Sequence, residues 1–199
     1  MVPGQAPRPD LTSNPAFIGE KDADAAFAAL LAETPWRQER IVVYGRAILQ
    51  PRLTVWYGDP DARYAYSGLA LEPLPWTPLL ADLKARVEAA AGARFDSLLM
   101  NFYRDGRDSV SWHSDAEPEL GRNPVIASLS FGARRRFQLR SRPPLPPARH
   151  ELPLDHGDLL VMRGATQHEW AHQVPRTARP VGPRINLTFR LVRGAADLA

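Results

Sequence analysis

The stretch Asp108-Ser109-Val110-Ser111-Trp112-His113-Ser114-Asp115 alternates as a β-strand does, so His113 and Asp115, two residues apart, face the same side. An imidazole and a carboxylate so placed supply two ligands of a 2-His-1-carboxylate facial triad. That triad holds Fe(II) and leaves positions open for a co-substrate and dioxygen. A chain with 5 His and 22 acidic residues makes such a pair by chance as well, so its meaning rests on what surrounds it.

Working outward, strand patterns dominate on both sides of this stretch. They cover Ser97–Tyr103, Ser109–Trp112, Val125–Ser130, Arg136–Arg140, Gly157–Met162, His168–Val174 and Arg184–Val192. Phe131-Gly132-Ala133 reads as a hairpin turn, and the proline-rich Ser141–Pro147 as a surface loop. Upstream, Thr77-Pro78 opens a helix with a capping hydroxyl and a proline at its first position, and Gly92 closes it. Leu79, Leu80, Leu83 and Val87 form its apolar stripe. A shorter helix spans Asp22 to Glu33, with Ala25, Phe27, Leu30 and Leu31 at helical spacing. Ile41–Tyr44 and Leu53–Tyr57 read as strands. Residues 1–20, with four prolines and few apolar side chains, read as a loose tail.

Helices followed by seven or more short strands imply an α+β, mainly β fold, an antiparallel jelly roll with the helices packed on one sheet. Its interior can hold a metal and a small ligand. The expected organisation is a tail over 1–20, a nucleotide-recognition extension over 21–96 and a core over 97–193 in one compact unit.

The 199 residues include no cysteine, which excludes disulfides, thiolate nucleophiles and cysteine-based metal sites. No apolar run is long enough to span a bilayer and no signal-peptide pattern is present. A cytoplasmic monomer is expected. Net charge is +3, and Lys21 and Lys84 are the only lysines among 25 basic residues, leaving 23 arginines. Arginine suits phosphate and carboxylate, but a GC-rich genome produces the same bias.

A third metal ligand must be another histidine. His150 and His156 flank proline-rich or turn sequence. His168 and His172 share the parity of one strand around Trp170, and alternation does not separate them. The Arg-x5-Arg spacing recurs at Arg46–Arg52, Arg134–Arg140 and Arg136–Arg142 and carries nothing by itself. Arg184–Arg190 differs in its setting, because Arg184, Asn186, Thr188 and Arg190 share one strand face while Ile185, Leu187 and Phe189 take the other. An inner face bearing two guanidiniums needs an anionic occupant, and a dicarboxylate meets that need.

Six stretches together resemble the AlkB family of Fe(II)/2-oxoglutarate dioxygenases, in that family's order and at similar spacings. They are Asn101-Phe102-Tyr103-Arg104-Asp105-Gly106, His113-Ser114-Asp115, Ala127-Ser128-Leu129-Ser130-Phe131-Gly132, Gly157-Asp158-Leu159-Leu160-Val161-Met162, Trp170-Ala171-His172-Gln173-Val174-Pro175 and Arg184-Ile185-Asn186-Leu187-Thr188-Phe189-Arg190. A weaker resemblance reaches back through Tyr66-Ser67-Gly68 and Tyr57-Gly58-Asp59-Pro60 to about Ile41. The resemblance selects His172 as the second imidazole, with Fe(II), 2-oxoglutarate and O2 as the reacting set. It implies that Arg184 holds the distal carboxylate with Asn101 and Tyr103 assisting, that Arg190 lies nearer the metal, and that Asn186 adds a hydrogen bond.

The chemistry so implied is oxidative demethylation of N-alkylated bases of the 1-methyladenine and 3-methylcytosine type in DNA. 2-Oxoglutarate and O2 are consumed, and the methyl group leaves as formaldehyde. By the same resemblance Tyr66 and Ser67 belong to the base site, Tyr66 stacks on a flipped base, and Glu117 meets an exocyclic amine. Val43-Tyr44-Gly45 takes the place of a finger that fills the gap in a duplex, which points toward double-strand-acting members. Arg134 and Arg135 are candidates for phosphate contact. RNA or a protein side chain as substrate, and a silent nucleic-acid-binding module, are the alternatives.

Overall fold

The computed structural model describes residues 7–43, 45–62, 64–66, 69–71 and 73–192. In chain order, β1 (Leu11–Asn14), α1 (Glu20–Glu33), β2 (Arg40–Val43), β3 (Arg46–Leu49), β4 (Leu53–Gly58), β5 (Tyr64–Tyr66) and β6 (Leu69–Leu71) lead to α2 (Pro78–Ala91). There follow β7 (Ser97–Tyr103), β8 (Val110–His113), β9 (Ile126–Gly132), β10 (Arg135–Ser141), β11 (Arg149–Leu154), β12 (Leu159–Met162), a helical turn α3 (Thr166–Glu169), β13 (Trp170–Val174) and β14 (Arg184–Arg190).

A six-stranded sheet runs β1-β12-β9-β14-β7-β4 and faces a four-stranded sheet β11-β10-β13-β8, antiparallel within each. This is the double-stranded β-helix expected from the strand pattern. Alternation along the larger sheet makes two cores. Ala127, Leu129, Ile185, Leu187 and Phe189 point outward under α1 and α2. Ile126, Leu160 and Met162 point inward to meet Phe137, Leu139 and Trp170 of the smaller sheet. The polar positions of β14 therefore face the gap between the sheets.

Helix α2 begins and ends where its caps dictate. The Thr77 hydroxyl accepts from the Leu80 amide at 3.3 Å, and Gly92 takes φ 61°. Helix α1 differs from the expected stripe, burying Ala23, Ala26 and Leu30 and leaving Leu31 exposed. Close approach explains this. A Cβ on Gly157 would lie 3.7 Å from the Ala23 Cβ, and one on Gly132 2.9 Å from the Phe27 ring. Small side chains let the helix sit that near the turns.

Three expectations are corrected. The tail is not loose throughout, since Leu11–Asn14 pairs with Leu159–Met162 at the edge of the larger sheet. The turn at Gly132, with φ 85°, is real but joins no hairpin. It carries the chain from β9 in one sheet to β10 in the other. His168 is not on a strand; it lies exposed in α3. Among the described residues, no helix is long and apolar enough to cross a membrane.

Candidate metal and cosubstrate site

His113 ends β8 and His172 sits opposite it on β13, with ring centroids 4.3 Å apart. Asp115 follows two residues after the strand, and one ligand atom from each of the three lies within 4.8 Å of the others. His113 Nδ1 is 2.8 Å from the Ser111 carbonyl, so a proton on Nδ1 leaves Nε2 as the free lone pair. Asp115 accepts from Arg190 Nη2 at 2.7 Å, and its amide donates to Gln167 Oε1 at 2.9 Å. Burial pushes the Asp115 carboxyl up, but Arg190 and the two imidazoles outweigh it and hold it at about 2. Burial, reinforced by His113, pushes His172 down to about 3, which keeps its ring neutral and ligand-competent at pH 7. Two imidazoles and one carboxylate whose ligand atoms converge within reach of one ion fit a divalent iron site.

The other end of the same cavity is cationic. Arg184 is 1% exposed; its Nη2 donates to Ser130 Oγ at 2.9 Å, while Nε and Nη1 have no hydrogen-bond acceptor among the described residues. Burial lowers its pKa. A buried guanidinium with unmatched donors is costly, and a carboxylate of a small ligand removes the cost. The Tyr103 ring lies 5.1 Å from Arg184 Cζ. Asn101 accepts from Arg52 Nε at 2.7 Å through Oδ1, which leaves its Nδ2 as the group it can offer the cavity.

Asn186 lines the same cavity. Its Nδ2 donates to Ser128 Oγ and the Leu129 carbonyl, and its Oδ1 accepts from Thr188. Both amide hydrogens are spent inside the strand pair, so Asn186 lines the cavity without a donor to spare.

Of the substrate candidates, Glu117 is half-buried, and its Oε2 has no hydrogen-bond partner among the described residues. Gly45, at φ 75°, forms the turn between β2 and β3. Tyr66 is in β5 opposite Leu69. Tyr44 and Ser67 lie outside the described residues. Arg134 is exposed and paired with Asp155. Arg135 is not a surface phosphate contact. It is 3% exposed and donates to the carbonyls of Asp105, Asp108 and Pro175. Arg52, Ser130 and Gln167 are site residues that sequence reasoning missed. Each acts across a large sequence distance, and Arg52 stood among arginine spacings that chance explains.

The family model described as the 2OG-Fe(II) oxygenase superfamily matches residues 10–190. The chain belongs to the AlkB family of that superfamily. The Homo sapiens and Bos taurus proteins named alpha-ketoglutarate-dependent dioxygenase alkB homolog 3 are each 48% identical over 186 residues, 89% of this chain and 64% of theirs. The Mus musculus protein named DNA oxidative demethylase ALKBH2 is 39% identical over 185 residues, 88% of this chain and 77% of its own. This AlkB-family chain thus spans somewhat under two thirds of the alkB homolog 3 proteins it matches. The structure entitled "The structure of OsALKBH1" superposes with TM-score 0.65 at 19% identity, covering 94% of this chain and 100% of that one, which shows a shared AlkB-type fold.

Proposed function

We propose that this protein is an Fe(II)/2-oxoglutarate-dependent dioxygenase that demethylates N-alkylated bases in DNA. The observation that carries the reading is Arg184, whose two unmatched donors stand in one cavity with His113, Asp115 and His172. A metal-binding triad and a buried anion receptor together suit a small dicarboxylate that reaches both. DNA as substrate and the demethylase class are supported by the similarity to the ALKBH2 relatives, which are named DNA oxidative demethylase.

His113, Asp115 and His172 would hold the iron, and with 2-oxoglutarate and O2 it would supply the oxidation of an N-alkyl carbon. The chain's own work is placement. Arg190 fixes the Asp115 carboxylate, and Gln167 fixes the backbone beneath it. Ser130 aims Arg184, and Arg52 turns Asn101 so that a donor faces the cosubstrate. The alkylated base must leave its stack to enter, and Tyr66 and Glu117 are assigned to receive it. Tyr44, which the sequence places between β2 and β3, is assigned to the gap left in a duplex. A cytoplasmic monomer completes the reading.

The test is turnover of 1-methyladenine and 3-methylcytosine oligonucleotides, single-stranded and duplex, with Fe(II), ascorbate and 2-oxoglutarate, followed by mass. Loss of the methyl mass only with 2-oxoglutarate is expected. Succinate formation without any methyl loss would refute these bases as substrates, and absence of both in folded, iron-loaded protein would refute the dioxygenase.

A further inference from the structure

Arg135 is not among the residues lining the metal and cosubstrate cavity, yet it is only 3% exposed. It opens β10, where Arg135, Phe137 and Leu139 face inward and Arg136 and Arg140 face outward. Its Nη1 donates to the Asp105 carbonyl at 3.1 Å, and its Nη2 to those of Asp108 at 2.8 Å and Pro175 at 2.7 Å. Asp105 and Asp108 lie in the loop between β7, which ends on Tyr103, and β8, which ends on His113. Pro175 directly follows β13, which carries His172. One side chain therefore ties together the ends of the strands bearing Tyr103, His113 and His172.

The same guanidinium also stacks. Arg135 Cζ is 5.5 Å from the centroid of the Tyr103 ring, and Arg184 Cζ is 5.1 Å from that centroid. The two cations differ in one respect. Arg135 has its hydrogen bonds made by carbonyl oxygens, whereas Arg184 Nε and Nη1 have no acceptor among the described residues. A cation anchored on carbonyl dipoles is a fixed post against which a ring is held. A ring held there limits where the second guanidinium can lie.

We infer that Arg135 is a positioning residue for the cosubstrate pocket, setting the Tyr103 ring and through it the Arg184 guanidinium. The inference rests on the proposal that Arg184 receives a 2-oxoglutarate carboxylate. A lysine in its place keeps the charge and can reach carbonyls but has no flat face to lay on the ring.

Calorimetric titration of 2-oxoglutarate into the 199-residue chain loaded with Mn(II) tests this without turnover. Wild type and Arg184→Met come first. If wild type does not bind, or Arg184→Met binds equally well, the cosubstrate assignment itself fails, whatever Arg135 does. If that assignment holds, Arg135→Lys is expected to weaken 2-oxoglutarate binding about threefold or more, because one ammonium cannot both make the three carbonyl bonds and hold the ring. In a Tyr103→Leu background the same exchange is expected to change binding by less than about twofold, because the ring that transmits it is gone. Arg135→Lys with wild-type affinity would overturn the inference, as would a loss that multiplies in full with that of Tyr103→Leu. Should Arg135→Lys fail to fold, Arg135→Gln retains a planar donor group. A lower melting temperature with unchanged affinity in its folded fraction would make Arg135 a structural anchor alone and overturn the inference as well.

Discussion

Replacing Arg184 by methionine separates an anion receptor from a structural residue, because the two roles predict opposite effects on the cosubstrate-free protein. Arg184 is 1% exposed, and two of its nitrogen groups have no acceptor among the described residues. A hydrogen bond to a charged group contributes about 1.5–3 kcal/mol. A carboxylate accepting both is thus held by roughly 3–6 kcal/mol, or about 10² to 10⁴ in dissociation constant. In the cosubstrate-free protein the same side chain is a buried cation with unmatched donors, and removing it relieves desolvation. Against that stands the bond to Ser130 Oγ, worth about 1 kcal/mol. Arg184→Met should therefore leave the metal-free melting temperature unchanged or higher while 2-oxoglutarate affinity falls at least about a hundredfold. Thermal scans and titration with Mn(II) and 2-oxoglutarate read both quantities. A melting temperature lowered by many degrees with affinity intact would refute the reasoning.

Three further outcomes are expected. Asp115→Asn keeps an oxygen for Arg190 but loses the charge, so the protein should remain folded and lose metal retention and turnover; Mn(II) binding at wild-type strength would remove Asp115 from the metal site. His172 has a folded pKa of about 3, below its ordinary 6.5, so the folded state binds fewer protons than the unfolded one between those values. Metal-free stability attributable to His172 should fall as pH drops from about 6.5 toward 3, by at most about 1.4 kcal/mol per unit. Denaturant titrations at pH 7, 6 and 5 should show a shallower slope for His172→Gln, and an identical slope would contradict it. Tyr44→Ala should reduce repair in duplex far more than in single strands, and equal losses on both would sink the finger assignment.

Local chemistry explains which parts of this architecture are legible in the amino-acid sequence. Thr77, Pro78 and Gly92 bound α2 because caps act over one turn. The two faces of β14 are readable because period-two alternation is a property of the strand itself. His113 and Asp115 are readable for the same reason. The crossing from β9 to β10 is not, since a turn at Gly132 looks alike whether the chain returns to its own sheet or enters the other. The helical turn at His168 is not legible either, because the pattern around Trp170 continues in parity through it. Arg135 was misjudged because a run of three arginines reads as a charged surface. Its partners are carbonyls at Asp105, Asp108 and Pro175, remote along the chain and silent in residue type.

The seven residues of β14 are all buried, yet they fail in two different currencies when changed. Ile185, Leu187 and Phe189 support the helix-covered core, so a lineage that weakens one can recover through any stabilising change elsewhere in the molecule. Arg184 and Arg190 face the cavity, and no gain in global stability restores a lost carboxylate contact. Suppressor selections should therefore divide this one strand by parity. Defects at 185, 187 and 189 should be rescued from distant, unrelated sites, while those at 184 and 190 should revert only at the codon itself or at a cavity neighbour.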